Sequence, residues 1–226
     1  MNKEIKQLGN FEFLIRYPKD YKEGERYPVI IMLHGAGGRG RDMEMIIRDN
    51  PFFKIIEEQY PDFPFITVAP QCNQNTWFDH FESLRMLVRW VYENPFTDTD
   101  RIYGMGVSMG GYGIWQLAMS MPKFFAAIVP ICGGGMAWNA ARLVNVPVWA
   151  HHGEIDHVVK VQQSIDMVEA VKKQGGEAML TIYPDTDHNS WTPTFQNPEV
   201  FEWLLTKTNQ NSKELKEAYI GQELFG

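Results

Sequence analysis

The stretch Arg101-Ile102-Tyr103-Gly104-Met105-Gly106-Val107-Ser108-Met109-Gly110-Gly111-Tyr112-Gly113 admits few folds. Its apolar run ends abruptly in Gly-x-Ser-x-Gly. Tyr112, Trp115, Ala118 and Met119 then follow at helical spacing until Pro122 stops them. Strand, sharp turn and helix is the setting in which Gly-x-Ser-x-Gly forms a nucleophile elbow. Such a turn strains its central residue, so the residues two before and two after it must lack bulk. Gly106 and Gly110 meet that demand, and Gly111 lets the helix pack closely. The Ser108 hydroxyl then projects above a sheet with a helix N-terminus behind it, where partial positive charge favours a developing oxyanion. Ordinary strand-to-helix turns also produce this five-residue pattern, so its weight depends on the rest of the chain.

Taken in order, Phe11, Phe13 and Ile15 alternate as in a half-exposed strand. Val29-Ile30-Ile31-Met32-Leu33 is an uninterrupted apolar run, the signature of a strand buried on both faces of a parallel sheet. It ends in the loop His34-Gly35-Ala36-Gly37-Gly38, and helical material interrupted by Pro51 covers residues 43–59. A second buried run, Phe65-Ile66-Thr67-Val68-Ala69, stops at Pro70. Asp79 with Glu82 then reads as a capping box for a helix whose apolar face is Phe81, Leu84, Leu87, Val88 and Val91. Thr97-Asp98-Thr99-Asp100 reads as a loop leading into the elbow strand.

Further strands are expected over residues 126–131, 146–150 and 178–183. A helix over 164–174 turns Ile165, Val168 and Val171 inward, and Asn197-Pro198 caps a closing helix. Residues 1–206 make one domain; 207–226 form a polar tail, with helical character over 213–219. Strands alternating with helices mean a mostly parallel sheet covered on both faces.

The chain has 226 residues, and its 44% hydrophobic content suits a sizeable core. Formal net charge is −7 with no basic block, which argues against nucleic-acid binding and polybasic membrane contact. The longest apolar stretch, 124–138, is broken by Pro130 and three glycines and is too short to span a bilayer. The N-terminus has no apolar core and reads as no signal peptide. As it stands this implies the cytoplasm; a leader removed beforehand would place the protein in the periplasm or outside the cell. Cys72 and Cys132 read as buried, inert thiols. No Cys/His spacing suggests zinc and no acidic cluster suggests calcium or magnesium, so neither a metal nor an organic cofactor is expected.

A serine hydroxyl is a weak nucleophile unless a base accepts its proton, and the base works best when a carboxylate orients it. On a sheet of this kind the partners follow the serine in the order acid, then His, each on a loop after a strand. Asp156 follows the 146–150 strand and His188 follows the 178–183 strand. Glu154 is the rival acid, but it lies closer to its strand end. Asp187 adjoins His188, and neighbouring side chains diverge. His151, His152 and His157 are rival bases, but they share the acid's own loop. An oxyanion hole needs two backbone N–H groups: Met109, next to the nucleophile, and Ala36 in the glycine-rich loop supply them in this reading.

With these residues in view, the sequence resembles the α/β-hydrolases. Within them it is similar to small bacterial esterases of the dienelactone-hydrolase, polyhydroxybutyrate-depolymerase and feruloyl-esterase type, often described as predicted peptidases. The resemblance covers residues 27–205. It rests on His34-Gly35-Ala36-Gly37, Ala69-Pro70-Gln71-Cys72, Gly106 to Gly113, Pro130-Ile131-Cys132-Gly133-Gly134, His152-Gly153 with Asp156, and His188-Asn189-Ser190-Trp191. Such relatives often carry a glutamate in the oxyanion loop where this chain has Gly38. The family's sheet order would separate the strands before Cys72 and Cys132 by about three spacings, roughly 14 Å, too far for a disulfide.

Trp77, Trp138 and Trp191 fall on loops after strands or just beyond His188, where aromatic rings suit a sugar or aryl group. Trp115 and Trp203 sit on helix faces and belong to the core. No long insertion follows the 126–131 strand, so no large lid is expected. The sequence thus points to a serine carboxylesterase acting on short-chain, aryl or carbohydrate-linked esters. Its alternatives are a serine peptidase of the prolyl-oligopeptidase-like type and a non-catalytic binding protein of the same fold.

Overall fold

The computed structural model describes residues 3–9, 11–40 and 42–223. Eight strands form one sheet: β1 (Lys3–Leu8), β2 (Phe11–Arg16), β3 (Tyr27–Leu33), β4 (Ile66–Pro70), β5 (Thr97–Val107), β6 (Ala127–Ile131), β7 (Val148–Gly153) and β8 (Ala178–Tyr183). Their order is β1-β2-β4-β3-β5-β6-β7-β8. The β1–β2 and β2–β4 pairs are antiparallel, and every pair from β4–β3 to β7–β8 is parallel. The helices are α1 (Met43–Asp49), α2 (Pro51–Gln59), α3 (Phe81–Glu93), α4 (Met109–Ser120), α5 (Gln162–Lys173), α6 (Trp191–Gln196), α7 (Pro198–Thr206) and α8 (Ser212–Glu223).

The uninterrupted apolar runs follow from this layering. Successive side chains of a strand point to opposite faces, so a strand covered on both must be apolar at every position. Val29, Ile31 and Leu33 of β3 enter the core under α3, α4 and α5. Ile30 and Met32 enter the other core, under α1, α2, α6 and α7. Asn50 and Asn197 accept from Phe52 N and Glu199 N, and the prolines that follow open α2 and α7 at positions where a backbone N–H would lack a partner anyway. Trp115 is buried, while Trp203 is half-buried and packs edge-on against Trp149 at 5.5 Å.

Several expectations need correction. The polar segment Lys3–Leu8 is an edge strand, β1, that no apolar alternation announces. With β1 on its outer side, β2 is an inner strand. Phe13 meets Trp90 of α3 on one face and Leu14 joins the opposite core, so β2 is buried rather than half-exposed. The capping box is absent: α3 starts at Phe81, and Asp79 instead accepts from Thr76 N and Oγ1 at 2.8 and 2.9 Å. An aspartate satisfied by a local turn is no longer free to cap. Strand β5 already begins at Thr97, where Tyr27 pairs with it, so the presumed loop is part of the strand. In α5 the deep positions are Ser164, Met167, Val168 and Val171, with Ile165 half-buried.

The tail is tied to the sheet. Asn209 N donates to Asp100 O at 2.8 Å, Lys216 Nζ lies 2.9 Å from Asp100 Oδ1, and Leu215 is buried in the α3–α5 core. Helix α8 contains the expected helical region, and residues 224–226 lie outside the described ones. Among the described residues no helix is long and apolar enough to cross a membrane. Cys72 and Cys132 are buried and free, and the strands before them, β4 and β6, stand three spacings apart in the sheet.

Candidate active site

At the junction of β5 and α4 the chain reverses on Ser108, whose φ of 53° and ψ of −114° are strained for any residue with a side chain. The reversal is possible only because its flanks are bare. A Cβ on Gly106 would lie 2.1 Å from Gly110 O, and one on Gly110 would lie 2.1 Å from Leu33 O. Ser108 N is held by Ile131 O at 2.8 Å, which fixes the turn to β6.

The loops after β7 and β8 bring the two expected partners to this serine. His188 Nε2 is 2.8 Å from Ser108 Oγ, and His188 Nδ1 is 2.7 Å from Asp156 Oδ2. Asp156 is 3% exposed, and its Oδ1 accepts from Val158 N and Val159 N, both at 2.8 Å. An ionised carboxylate only accepts, so Nδ1 must carry the imidazole proton, leaving Nε2 a lone pair aimed at the serine hydroxyl. The rivals point elsewhere. Glu154 is exposed and accepts from Asp185 N. Asp187 accepts from the backbone N–H groups of His157 and His188, which hold its carboxyl below the usual range. His151 is buried against Tyr183, and His157 is exposed.

Ala36 opens a 3₁₀ turn at residues 36–38, and Met109 is the first residue of α4. Neither backbone N–H has a hydrogen-bond partner among the described residues. The loop lies against the serine: a Cβ on Gly35 would sit 3.6 Å from Ser108 Cβ. What anchors the loop is a residue to which sequence reasoning assigns no role. His34 Nδ1 contacts Gly35 O at 2.8 Å, Nε2 accepts from Cys72 N at 3.1 Å, and burial lowers the imidazole pKa. The two contacts require a neutral ring protonated on Nδ1. The His34 ring fills the space beside Gly38: a Cβ there would lie 2.7 Å from His34 Nδ1.

The three loop tryptophans part company. Trp77 is fully buried and donates from Nε1 to His34 O at 2.9 Å, so it braces the glycine-rich loop after β3 from inside the core. Trp138 is 81% exposed and stands outside the cavity lining. Trp191 lines the cavity, with its ring edge-on to His188 at 5.5 Å. That cavity, about 450 Å³, opens over Ser108 and His188 and is walled by Met32, Ile46, Pro51, Val107 and Phe195 besides Trp191. Sequence reasoning places helical material at 43–59 but gives it no part in the site. Ile46 and Pro51 reach the serine only through the fold.

Cys132, Asp156 and His188 also offer one group of possible metal donors, with ligand atoms within 4.8 Å of one another. Their chemistry does not favour a cation: burial pushes the Cys132 thiol up to about 12, and the other two are already hydrogen-bonded together.

Buried histidines also set the acid stability. Burial lowers the pKa of His34, His151 and His152 from 6.5, that of His151 to about 3. The unfolded chain binds these protons below about pH 6.5 and the folded chain does not. Stability is therefore complete above that pH and falls as pH drops toward the folded values. His151 alone is expected to remove about 2 kcal/mol between pH 6.5 and 5. Urea unfolding at pH 7 and pH 5 measures this.

A family model described as the dienelactone hydrolase family matches residues 65–214. A solved thermostable esterase is 30% identical, with a TM-score of 0.82 over 92% of this chain and 63% of its own. Dipeptidyl-peptidase 5 of Porphyromonas gingivalis is 23% identical over 85% of this chain and 34% of its own length. A probable feruloyl esterase C of Aspergillus niger is 22% identical over 84% of this chain and 72% of its own. The chain thus spans about a third of the length of the dipeptidyl-peptidase relatives it matches. With a family match over more than half of its residues and a mostly parallel eight-stranded sheet under helices on both faces, the chain belongs to the dienelactone hydrolase family and has the α/β-hydrolase fold.

Proposed function

We propose that this protein is a serine carboxylesterase working through an acyl-enzyme on Ser108, with no metal or organic cofactor. The observation that carries the reading is the continuous chain Ser108 Oγ–His188–Asp156, at 2.8 and 2.7 Å, with the backbone N–H groups of Ala36 and Met109 unpartnered among the described residues. Ser108 attacks the ester carbonyl as its proton passes to His188 Nε2, and Asp156 stabilises the imidazolium. The N–H groups of Ala36 and Met109 receive the oxyanion. His188 then protonates the leaving alcohol, and water, deprotonated by the same imidazole, releases the acid. Trp191 and the apolar wall of the cavity suit a short-chain or aryl acyl group, free or attached to a carbohydrate.

The dipeptidyl-peptidase relatives favour a second reading, a serine peptidase with the same machinery. It needs a group to hold the substrate's ammonium. The carboxylate at the cavity wall, Asp49, is exposed and already paired bidentately with Arg48 at 2.8 Å. We therefore expect kcat/KM for the best short acyl or aryl ester to exceed that for any unblocked dipeptide or tripeptide amide by at least about 10², roughly 2.7 kcal/mol of transition-state binding. A panel of acetyl, butyryl, octanoyl and feruloyl esters beside peptide amides measures the ratio. A peptide amide cleaved as efficiently as the best ester, with Ser108 required, would make the protein a peptidase.

A further inference from the structure

Within reach of Asp156 lies a second imidazole, which takes no part in the proposed reaction. His152, at the end of β7, is completely buried. Its Nε2 lies 2.9 Å from Val159 O and 3.3 Å from Asp156 Oδ2, the same oxygen that His188 Nδ1 contacts at 2.7 Å. Its Nδ1 lies 2.7 Å from Ser164 Oγ, which is itself 3.0 Å from Gly133 O.

Counting protons decides the orientation of this group. Nε2 faces two acceptors and no donor, so a lone pair there would converge on a carbonyl and a carboxylate in a buried site. Nε2 therefore carries a proton whether the ring is neutral or charged. When the ring is neutral, Nδ1 is the acceptor, and the single proton of the Ser164 hydroxyl goes to it at 2.7 Å rather than to Gly133 O at 3.0 Å. Burial, the largest influence, holds the His152 pKa below its ordinary value although Asp156 opposes this, so the neutral form prevails near pH 7.

We infer that His152 is a positioning residue for the acid of the triad: its Nε2–H, fixed by Ser164 and Val159, holds the same Asp156 Oδ2 that His188 Nδ1 contacts. This rests on the Ser108–His188–Asp156 reading. Asp156 then has no free lone-pair direction in which to turn, with Val158 N and Val159 N on one oxygen and the two imidazoles on the other. His152 also draws on the same negative charge that His188 needs. The other titratable groups around the cluster are Cys132, at the end of β6, and Tyr112, on α4; burial raises both above their ordinary values.

Glutamine and asparagine divide the two ring nitrogens between them. In His152→Gln the amide nitrogen takes the place of Nε2 and keeps a donor near Val159 O and Asp156. In His152→Asn the shorter amide reaches only Ser164. We expect kcat of His152→Gln to stay within about fivefold of the parent and that of His152→Asn to fall about 10- to 100-fold, the range for outer partners of a functional ligand. KM for a short ester should hardly change. Loss of the second donor leaves more of the Asp156 charge to stabilise the His188 imidazolium. The acid limb of kcat/KM should therefore move up by about half a unit in His152→Asn and stay in place in His152→Gln. A purely structural role would lower kcat in both variants without moving the limb; equal kcat values, or an unmoved limb in His152→Asn, would overturn the assignment.

Nitrogen NMR of histidine-labelled parent protein gives a readout that needs neither activity nor a folded variant. His152 should be protonated on Nε2 and bare on Nδ1 at pH 7, and the opposite tautomer would also overturn the assignment. Ser108→Ala keeps the two failures apart. If it leaves hydrolysis intact the nucleophile reading falls, while the tautomer still reports on His152.

Discussion

Replacing Ser108 with alanine is expected to lower kcat for ester hydrolysis on the order of 10⁶-fold, the scale seen when the nucleophile of a triad is removed. The residual rate reflects the cavity and the two backbone N–H groups alone. A fluorophosphonate probe should label the parent protein on Ser108 and fail to label the variant; unchanged labelling would end the assignment. Folding should survive, because alanine is no more strained than serine at φ 53°, ψ −114°. Glycine at 108 should abolish activity equally while stabilising the protein by about 1–3 kcal/mol, the strain that a Cβ stores in such a conformation. A higher urea midpoint for Ser108→Gly than for Ser108→Ala measures that strain directly. If the two midpoints coincide, the elbow stores no appreciable energy.

The second large effect belongs to the acid. In Asp156→Asn the oxygen that accepts from Val158 N and Val159 N can be kept, but the other oxygen becomes an NH₂ group facing His188 Nδ1. A donor there selects the imidazole tautomer protonated on Nε2, which cannot take the Ser108 proton. The expected loss is about 10⁴ in kcat, near 5.5 kcal/mol, with KM little changed. The same NH₂ also opposes His152 Nε2–H, so the variant should lose some stability as well. Parent-like rates would move the acid's role to another carboxylate, with Glu154 the first to test.

These effects are readable from sequence to different depths. Chain order and strand-end position are enough to nominate Ser108, Asp156 and His188, because the loops after β5, β7 and β8 all open on one edge of a parallel sheet. The glycines of the elbow are equally legible: only backbone without a Cβ permits the 2.1 Å approaches at Gly106 and Gly110. The apolar runs of β3 and β4 announce burial on both faces for the same local reason. Each of these statements depends on covalent geometry or on neighbours close along the chain.

What the tertiary structure alone decides is where long-range packing sends a side chain. Trp77 and Trp191 look alike as loop tryptophans. The first is drawn under the glycine-rich loop after β3 because its N–H finds the His34 carbonyl in the core, while the second remains at the cavity. Edge strand β1 is invisible in its own polar residues, because its partner β2 supplies the ladder that holds it. Asp79 keeps the letters of a helix cap but spends its carboxylate on Thr76. His151 and His152 are adjacent in the chain, and alternation along β7 sends them to opposite faces. One lies against Tyr183, and the other reaches Asp156 at 3.3 Å. Sequence thus determined the chemistry this chain carries, through short-range stereochemistry and strand order. The support around that chemistry was decided by the fold, because a hydrogen bond between residues far apart in the chain exists only once the sheet has brought them together.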